Sequence, residues 1–189
     1  MKNYFRFVTV LLVFQAHQLS AQTEIRLMAG ADYNFVKVSG YSTFESESPY
    51  RPGLGYSFGI NSLFGANRKV SLLGELAYQA LPYLVKYSDY PIKQNYVNLM
   101  AAPVLHLRKG ISIMAGASFG LLVKGGIEQT SNTQLMAVAG ISKSFGKLGL
   151  DFRLGHSIVP FYEESIPTFT KSFYHRMVHV GVSYKIQTL

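Results

Sequence analysis

The residues of this chain that could carry chemistry are the four of its five histidines that lie beyond the leader, a serine beside one of them, and a few charges set among apolar neighbours. His175 and His179 have the four-residue spacing that lets a helix hold one zinc ion. Their segment alternates as a strand, however, and four strand residues put them ~13 Å apart, too far to share an ion. His156-Ser157 with Glu163-Glu164 offers a base, a nucleophile and carboxylates. Adjacent strand residues point to opposite faces, so this His cannot reach this Ser unless a bulge intervenes. The run Gly53-Leu54-Gly55-Tyr56-Ser57-Phe58-Gly59 has one residue too many for a dinucleotide loop, and no helix follows it. The chain has no cysteine, which removes disulfides, thiolate metal sites, cysteine nucleophiles and a lipoprotein anchor together. The expectation is a chain without catalytic residues, metal or cofactor.

The elements that must position these residues repeat one pattern from Glu24 to Ile186: about a dozen alternating apolar and polar or small residues, then a connection. Eight strands are predicted, near 24–38, 54–64, 69–83, 95–107, 111–124, 133–145, 148–159 and 173–186. In the fifth, Ile111, Ile113, Ala115, Ala117, Phe119, Leu121 and Val123 oppose Ser112, Gly116, Ser118 and Gly120. The fourth is the weakest, because Pro103 interrupts its ladder and could bulge the register. The connections Gly65–Arg68, Arg108–Gly110 and Gly146-Lys147 are short. Those at Ser39–Pro52, Leu84–Gln94, Gly125–Asn132 and Pro160–Ser172 are long. Strict alternation of short and long is the pattern of periplasmic turns and extracellular loops in a membrane β-barrel. The fold class expected is all-β, an eight-stranded antiparallel up-and-down transmembrane β-barrel.

Lys2 and Arg6, the apolar run Phe7–Phe14 and the small-residue stretch Leu19-Ser20-Ala21-Gln22 read as a cleavable export signal. Residues 1–22 are therefore taken as signal peptide and 23–189 as one barrel domain. Eight apolar-rich residues reach only ~12 Å as a helix, short of a ~30 Å hydrocarbon core. The formal charge is +8. The basic residues are scattered, and their only adjacent pairs are Arg68-Lys69 and Arg108-Lys109, which argues against nucleic acid and suits anionic lipid head groups.

Alternation alone does not separate a membrane barrel from a soluble, lipocalin-like ligand-binding barrel with its apolar face inside. Two features favour lipid outside. Arg26, Asp32, Glu75, Asp151 and Arg153 sit mid-strand on the polar face, as a lumen network would. Thirteen Tyr and 13 Phe, with no Trp, gather toward the strand ends. Tyr33, Phe35, Tyr56, Phe58, Tyr78 and Phe119 fall at the loop ends, and Phe64, Phe145 and Tyr184 at the turn ends, as two aromatic girdles. Leu135→Arg is then expected to cost ~2–4 kcal/mol at the bilayer midplane, and Ser142→Arg less.

The leader ending Ser20-Ala21-Gln22, the strand-four segment Tyr96–Leu105 and the terminal Gly181–Ile186 resemble the outer-membrane β-barrel family common in Bacteroidetes, sometimes called PorT-like. Ala101 stands where that family often has an acidic residue two before the proline. The last strand is similar to the signal read by the barrel assembly machinery, with Gly181, Tyr184 and Ile186 in the matching places. The resemblance implies an outer-membrane location, lipid as surroundings and the assembly machinery as a partner during biogenesis. His156, Ser157 and the nearby glutamates resemble the groups of outer-membrane lipid A deacylases, which hold His and Ser two apart on one outer face. The loop aromatics Tyr41, Phe44, Tyr50, Tyr87, Tyr90, Phe161, Tyr162 and Phe169 are a candidate surface for a protein or glycan partner. The reading is a small non-enzymatic barrel with a packed lumen, acting in envelope structure, surface binding or as an accessory of an envelope or secretion machine. A lipid A-modifying enzyme is the alternative.

Overall fold

The computed structural model describes residues 22–39, 50–85, 91–125, 131–166 and 169–189. The leader lies outside the described residues, as do Tyr41, Phe44, Tyr87 and Tyr90. Alternation of the kind read above forms long strands: β1 (Thr23–Ser39), β2 (Tyr50–Phe64), β3 (Val70–Val85), β4 (Pro91–His106), β5 (Ile111–Gly125), β6 (Thr133–Phe145), β7 (Leu148–Ser157), β8 (Tyr162–Ile166) and β9 (Phe169–Thr188). Each pairs antiparallel with the next, except that β7 and β8 share one edge of β9, and β9 closes on β1. Eight staves therefore form a barrel, with β8 continuing the seventh stave beyond a break. Among the described residues no helix is long and apolar enough to cross a membrane; the strands cross it.

One row of partners measures the stagger. It runs Ile25, Ser62, Gly74, Ala101, Ala117, Ala137, His156, Arg176 and back to Phe35 on β1. The row returns ten residues from where it began, so the barrel has eight strands and a shear of ten. That combination tilts the strands by ~40° and leaves an interior that side chains can fill. Each strand residue then advances ~2.5 Å along the barrel axis.

The two faces are inverted relative to a soluble barrel. Leu54, Leu76, Leu99, Phe152, Leu154 and Val180 are exposed on the outside, while Asp32, Asn34, Gln94, Ser157 and His175 are 0% exposed inside. A soluble barrel with an apolar interior is not what this sequence builds. The buried apolar cluster contains Met100, Met114, Met136 and Met177; with Met28, five methionines face inward. An unbranched thioether chain fills irregular gaps between polar neighbours.

The structure departs from the sequence reading at the loop ends. β2 starts at Tyr50, β4 at Pro91 and β9 at Phe169, and β8 pairs within the stretch expected as a loop. Beyond the lipid a strand need not alternate in polarity, yet its backbone groups still demand partners, so the ladder outlasts the apolar pattern. Pro103 causes no register shift. The β3–β4 register runs through it, opposite Leu72, and the β4–β5 ladder omits Ala102-Pro103 but resumes in phase. The irregularity in β4 lies at Asn95/Tyr96 instead. The odd positions of β4, Val97 and Leu99 among them, face out. At the Gly146-Lys147 turn, Phe145 pairs with Leu148, and Gly146 supplies the positive φ (65°) that a two-residue hairpin needs.

Candidate functional site: a stoppered lumen

The lumen is filled in three tiers. In the middle tier β7 projects Asp151 and Arg153 inward two residues apart, β3 supplies Glu75, β1 Asp32 and β9 His179. Arg153 Nη1 donates to both Glu75 oxygens, at 2.9 and 2.8 Å, and its Nε lies 2.7 Å from Asp151 Oδ1. His179 Nδ1 is 2.8 Å from Asp32 Oδ1 and its Nε2 is 3.2 Å from Asp151 Oδ1. The two contacts to Asp151 Oδ1 are close in distance but lack hydrogen-bond alignment, which makes them charge contacts. The chain Glu75–Arg153–Asp151–His179–Asp32 thus crosses the barrel from β3 to β1.

Space for the imidazole comes from glycine. A Cβ on Gly30 or Gly181 would overlap the His179 ring. Gly181, read from sequence as part of an assembly signal, therefore also has a packing reason to be glycine. A cavity of about 30 Å³ adjoins this tier, lined by Met28, Gln79, Met100, Met136, Met177 and His179 among others. Gln79 Nε2 donates to Met177 Sδ at 2.7 Å, and Asn98 Nδ2 to Gln79 Oε1 at 2.7 Å.

The tier on the loop side is built around His175, which is fully buried. Its ring nitrogens lie 3.1 Å from Asn34 Oδ1 and 2.6 Å from Gln94 Oε1. Tyr96 donates to Gln94 at 3.2 Å. Phe161 stacks on the imidazole at 4.0 Å between centroids, and Tyr50, Tyr83, Phe161, Phe173 and Tyr162 pack together above it. Phe161 enters because the break between β7 and β8 turns it into the mouth; its N–H bonds Phe173 O. Three aromatics expected to face a partner, Tyr50, Phe161 and Tyr162, thus stopper the barrel instead.

The turn-side tier holds Arg26. From sequence it was grouped with the four central charges, but it pairs with Glu24 at 2.5 Å, and Lys185 reaches the same carboxylate at 3.2 Å. Asp32 lies well above Arg26 on the same strand, and the guanidinium is taken up by Glu24 instead. Nearby, His106 is held between Ser71 (2.7 Å) and Ser112 (2.9 Å). Glu24, His106, Asn34, Gln94 and Phe161 were not singled out by sequence reasoning as lumen groups. Their inward phase in the alternation was a usable signal for the first four; Pro160 marked the break, but nothing local showed that it turns Phe161 into the mouth.

Outside, the shear places the aromatic residues. Tyr33, Tyr56, Tyr78 and Phe119 project to one level within ~4 Å, and Phe64, Phe145 and Tyr184 lie ~20 Å below them. Phe58 packs against Tyr78 at 5.3 Å, just below the upper level, and Phe35 against Tyr33 at 4.7 Å, just above it. Lys143 lies over the Phe145 ring at 5.0 Å on the lower rim. Tyr184 and Ile186 are exposed on the outer face. Leu135 does face out, but it projects to the upper aromatic level, not the midplane; Leu76 occupies the midplane. His156 is exposed on the outer face while Ser157 is fully buried in the lumen. The structure does not bring them together. Among the described residues no group of three His, Cys, Asp or Glu could hold a metal ion.

Fold and site together define a class: a transmembrane β-barrel of eight strands, apolar outside, with a lumen closed by ion pairs and aromatics. No protein-family model matches the chain, and neither does any curated protein. Among solved structures, Neisserial surface protein A aligns over 86% of this chain and 97% of its own, at 16% identity and a TM-score of 0.50. The outer membrane protein OprG of Pseudomonas aeruginosa covers 88% and 97% at 9% identity and a TM-score of 0.48. The outer membrane protein Ail of Yersinia pestis, in a phospholipid nanodisc, covers 86% and 99% at 16% identity and 0.48. Identities this low speak to the fold alone.

Proposed function

We propose that this chain is a small integral protein of a bacterial outer membrane, exported by its leader and inserted by the barrel assembly machinery through Gly181, Tyr184 and Ile186. Within that reading it belongs with the PorT-like barrels of Bacteroidetes. It works without catalysis, as an envelope or surface-binding element or as an accessory of a secretion machine. The observation that carries this is the pairing of an apolar band between two aromatic levels with a stoppered lumen. The ~20 Å between the levels suits the ~25 Å apolar band of outer-membrane barrels, and an interior crossed by Glu75–Arg153–Asp151–His179–Asp32 suits a scaffold better than a pore. Protein or glycan binding falls to the loop segments outside the described residues.

Fractionation tests the location: the mature chain should be found with outer membranes and migrate faster unheated than boiled. Recovery as a detergent-free periplasmic monomer would overturn it. Single-channel recording in planar bilayers should be silent, and regular conductance steps would refute a closed lumen. Hydrolysis of purified lipid A that is lost in His156→Ala would replace the non-enzymatic reading with the enzymatic one.

A further inference from the structure

The outer surface carries three bases where the lipid face meets the head groups, on three adjoining staves. His156 on β7 is the direct partner of Arg176 on β9, and Arg176 is the partner of Phe35 on β1, two residues before Lys37. All three side chains point outward and are exposed. Neighbouring strands are ~4.8 Å apart, and diagonal partners lie ~7–8 Å from each other, so one anion of phosphate size can touch more than one of these side chains. His156 and Arg176 project to the upper aromatic level, and Lys37 sits ~8 Å higher. Tyr174, the partner of Lys37, lies 6.1 Å from the His156 ring and forms an aromatic floor between the bases.

Among the described residues no carboxylate pairs with any of the three. The nearest outward acid along the same edge, Glu163, accepts from Ser172. Elsewhere among the described residues the lipid face between the aromatic levels carries no charge above Lys143 on the lower rim. Cations packed side by side repel one another, and with no counter-ion among the described residues an anion brought to the cluster is favourable. Its height admits few sources: an anionic group fixed at the outer head-group level.

We propose that Lys37, Arg176 and His156, with Tyr174, form a binding site for a phosphorylated glycolipid of the outer leaflet, the phosphoryl group held by Arg176 and Lys37 and an acyl chain lying along Val178 and Val180. Arginine suits the task because its planar fork meets two phosphate oxygens at once. This rests on the outer-membrane reading above, and the two fail separately: fractionation decides location, whereas the assay below uses folded protein in neutral detergent.

The test is native mass spectrometry of the detergent-solubilised barrel with lipid A in its bis-phosphorylated and enzymatically dephosphorylated forms. Wild type should retain the phosphorylated lipid at least tenfold more strongly than the dephosphorylated one. Lys37→Ser with Arg176→Ser should remove that preference, while Lys93→Ser with Lys124→Ser, on other staves, should keep it. Heat-modifiable migration confirms that each variant is folded. Equal retention of the two lipids by wild type, or equal loss in both double variants, would overturn the proposal, the latter by showing diffuse attraction.

Discussion

Removing the guanidinium at the centre of the lumen should destabilise the barrel more than removing any one of its partners. Arg153 is 5% exposed and lies against Glu75 and Asp151, both nearly as buried. Arg153→Met keeps the bulk but leaves two carboxylates facing each other in a water-poor interior, which costs ~3–5 kcal/mol for a buried pair broken on one side. Glu75→Gln leaves Arg153 on Asp151 and gives up charge assistance in one contact, ~1.5–3 kcal/mol. Adding Glu75→Leu to Arg153→Met removes one stranded charge, so the double variant should be more stable than Arg153→Met alone. Urea unfolding of the refolded barrel in lipid vesicles, followed by the heat-modifiable gel shift and by tyrosine fluorescence, measures all three. A cost below ~1 kcal/mol for Arg153→Met, or simple additivity in the double variant, would refute the network.

Depth on the outer face is the second expectation: Leu76→Arg should cost ~2–4 kcal/mol and Leu135→Arg only ~0–1 kcal/mol, read by the same unfolding assay. Gly181→Ala should cost ~1–3 kcal/mol by driving a methyl into His179. That loss should appear in purified protein refolded without assembly machinery; a variant that refolds with wild-type stability yet inserts poorly in cells would make Gly181 an assembly signal only.

How much could be read beforehand depended on distance along the chain. Alternation is local, and it located the eight staves, the facing of all but the fourth and four of the five central ionic side chains. Glu75 and Arg153 are 78 residues apart, and their meeting is decided by the stagger of the barrel, which no single segment encodes. The same stagger moved Leu135 up to the aromatic level. His175 and His179 were legible as lumen residues because the strand period turned both inward. Their different roles, one beneath an aromatic stopper and one between two carboxylates, depend on Phe161 and on Gly30 and Gly181, which lie on other elements. Pro103 misled for a related reason: a missing N–H leaves a gap in a ladder without shifting its phase.

The central claim is that lipid, and not a packed protein interior, touches the apolar side of this cylinder. The chain has no Trp, so single tryptophans report cleanly. Tryptophan placed at Leu76, at Val180 and, facing inward, at Met100 can be compared in vesicles carrying bromines midway along the acyl chains. Strong quenching at Leu76 and Val180 with none at Met100 is the predicted result. Quenching of the Met100 probe alone, or protection of all three, would contradict the account.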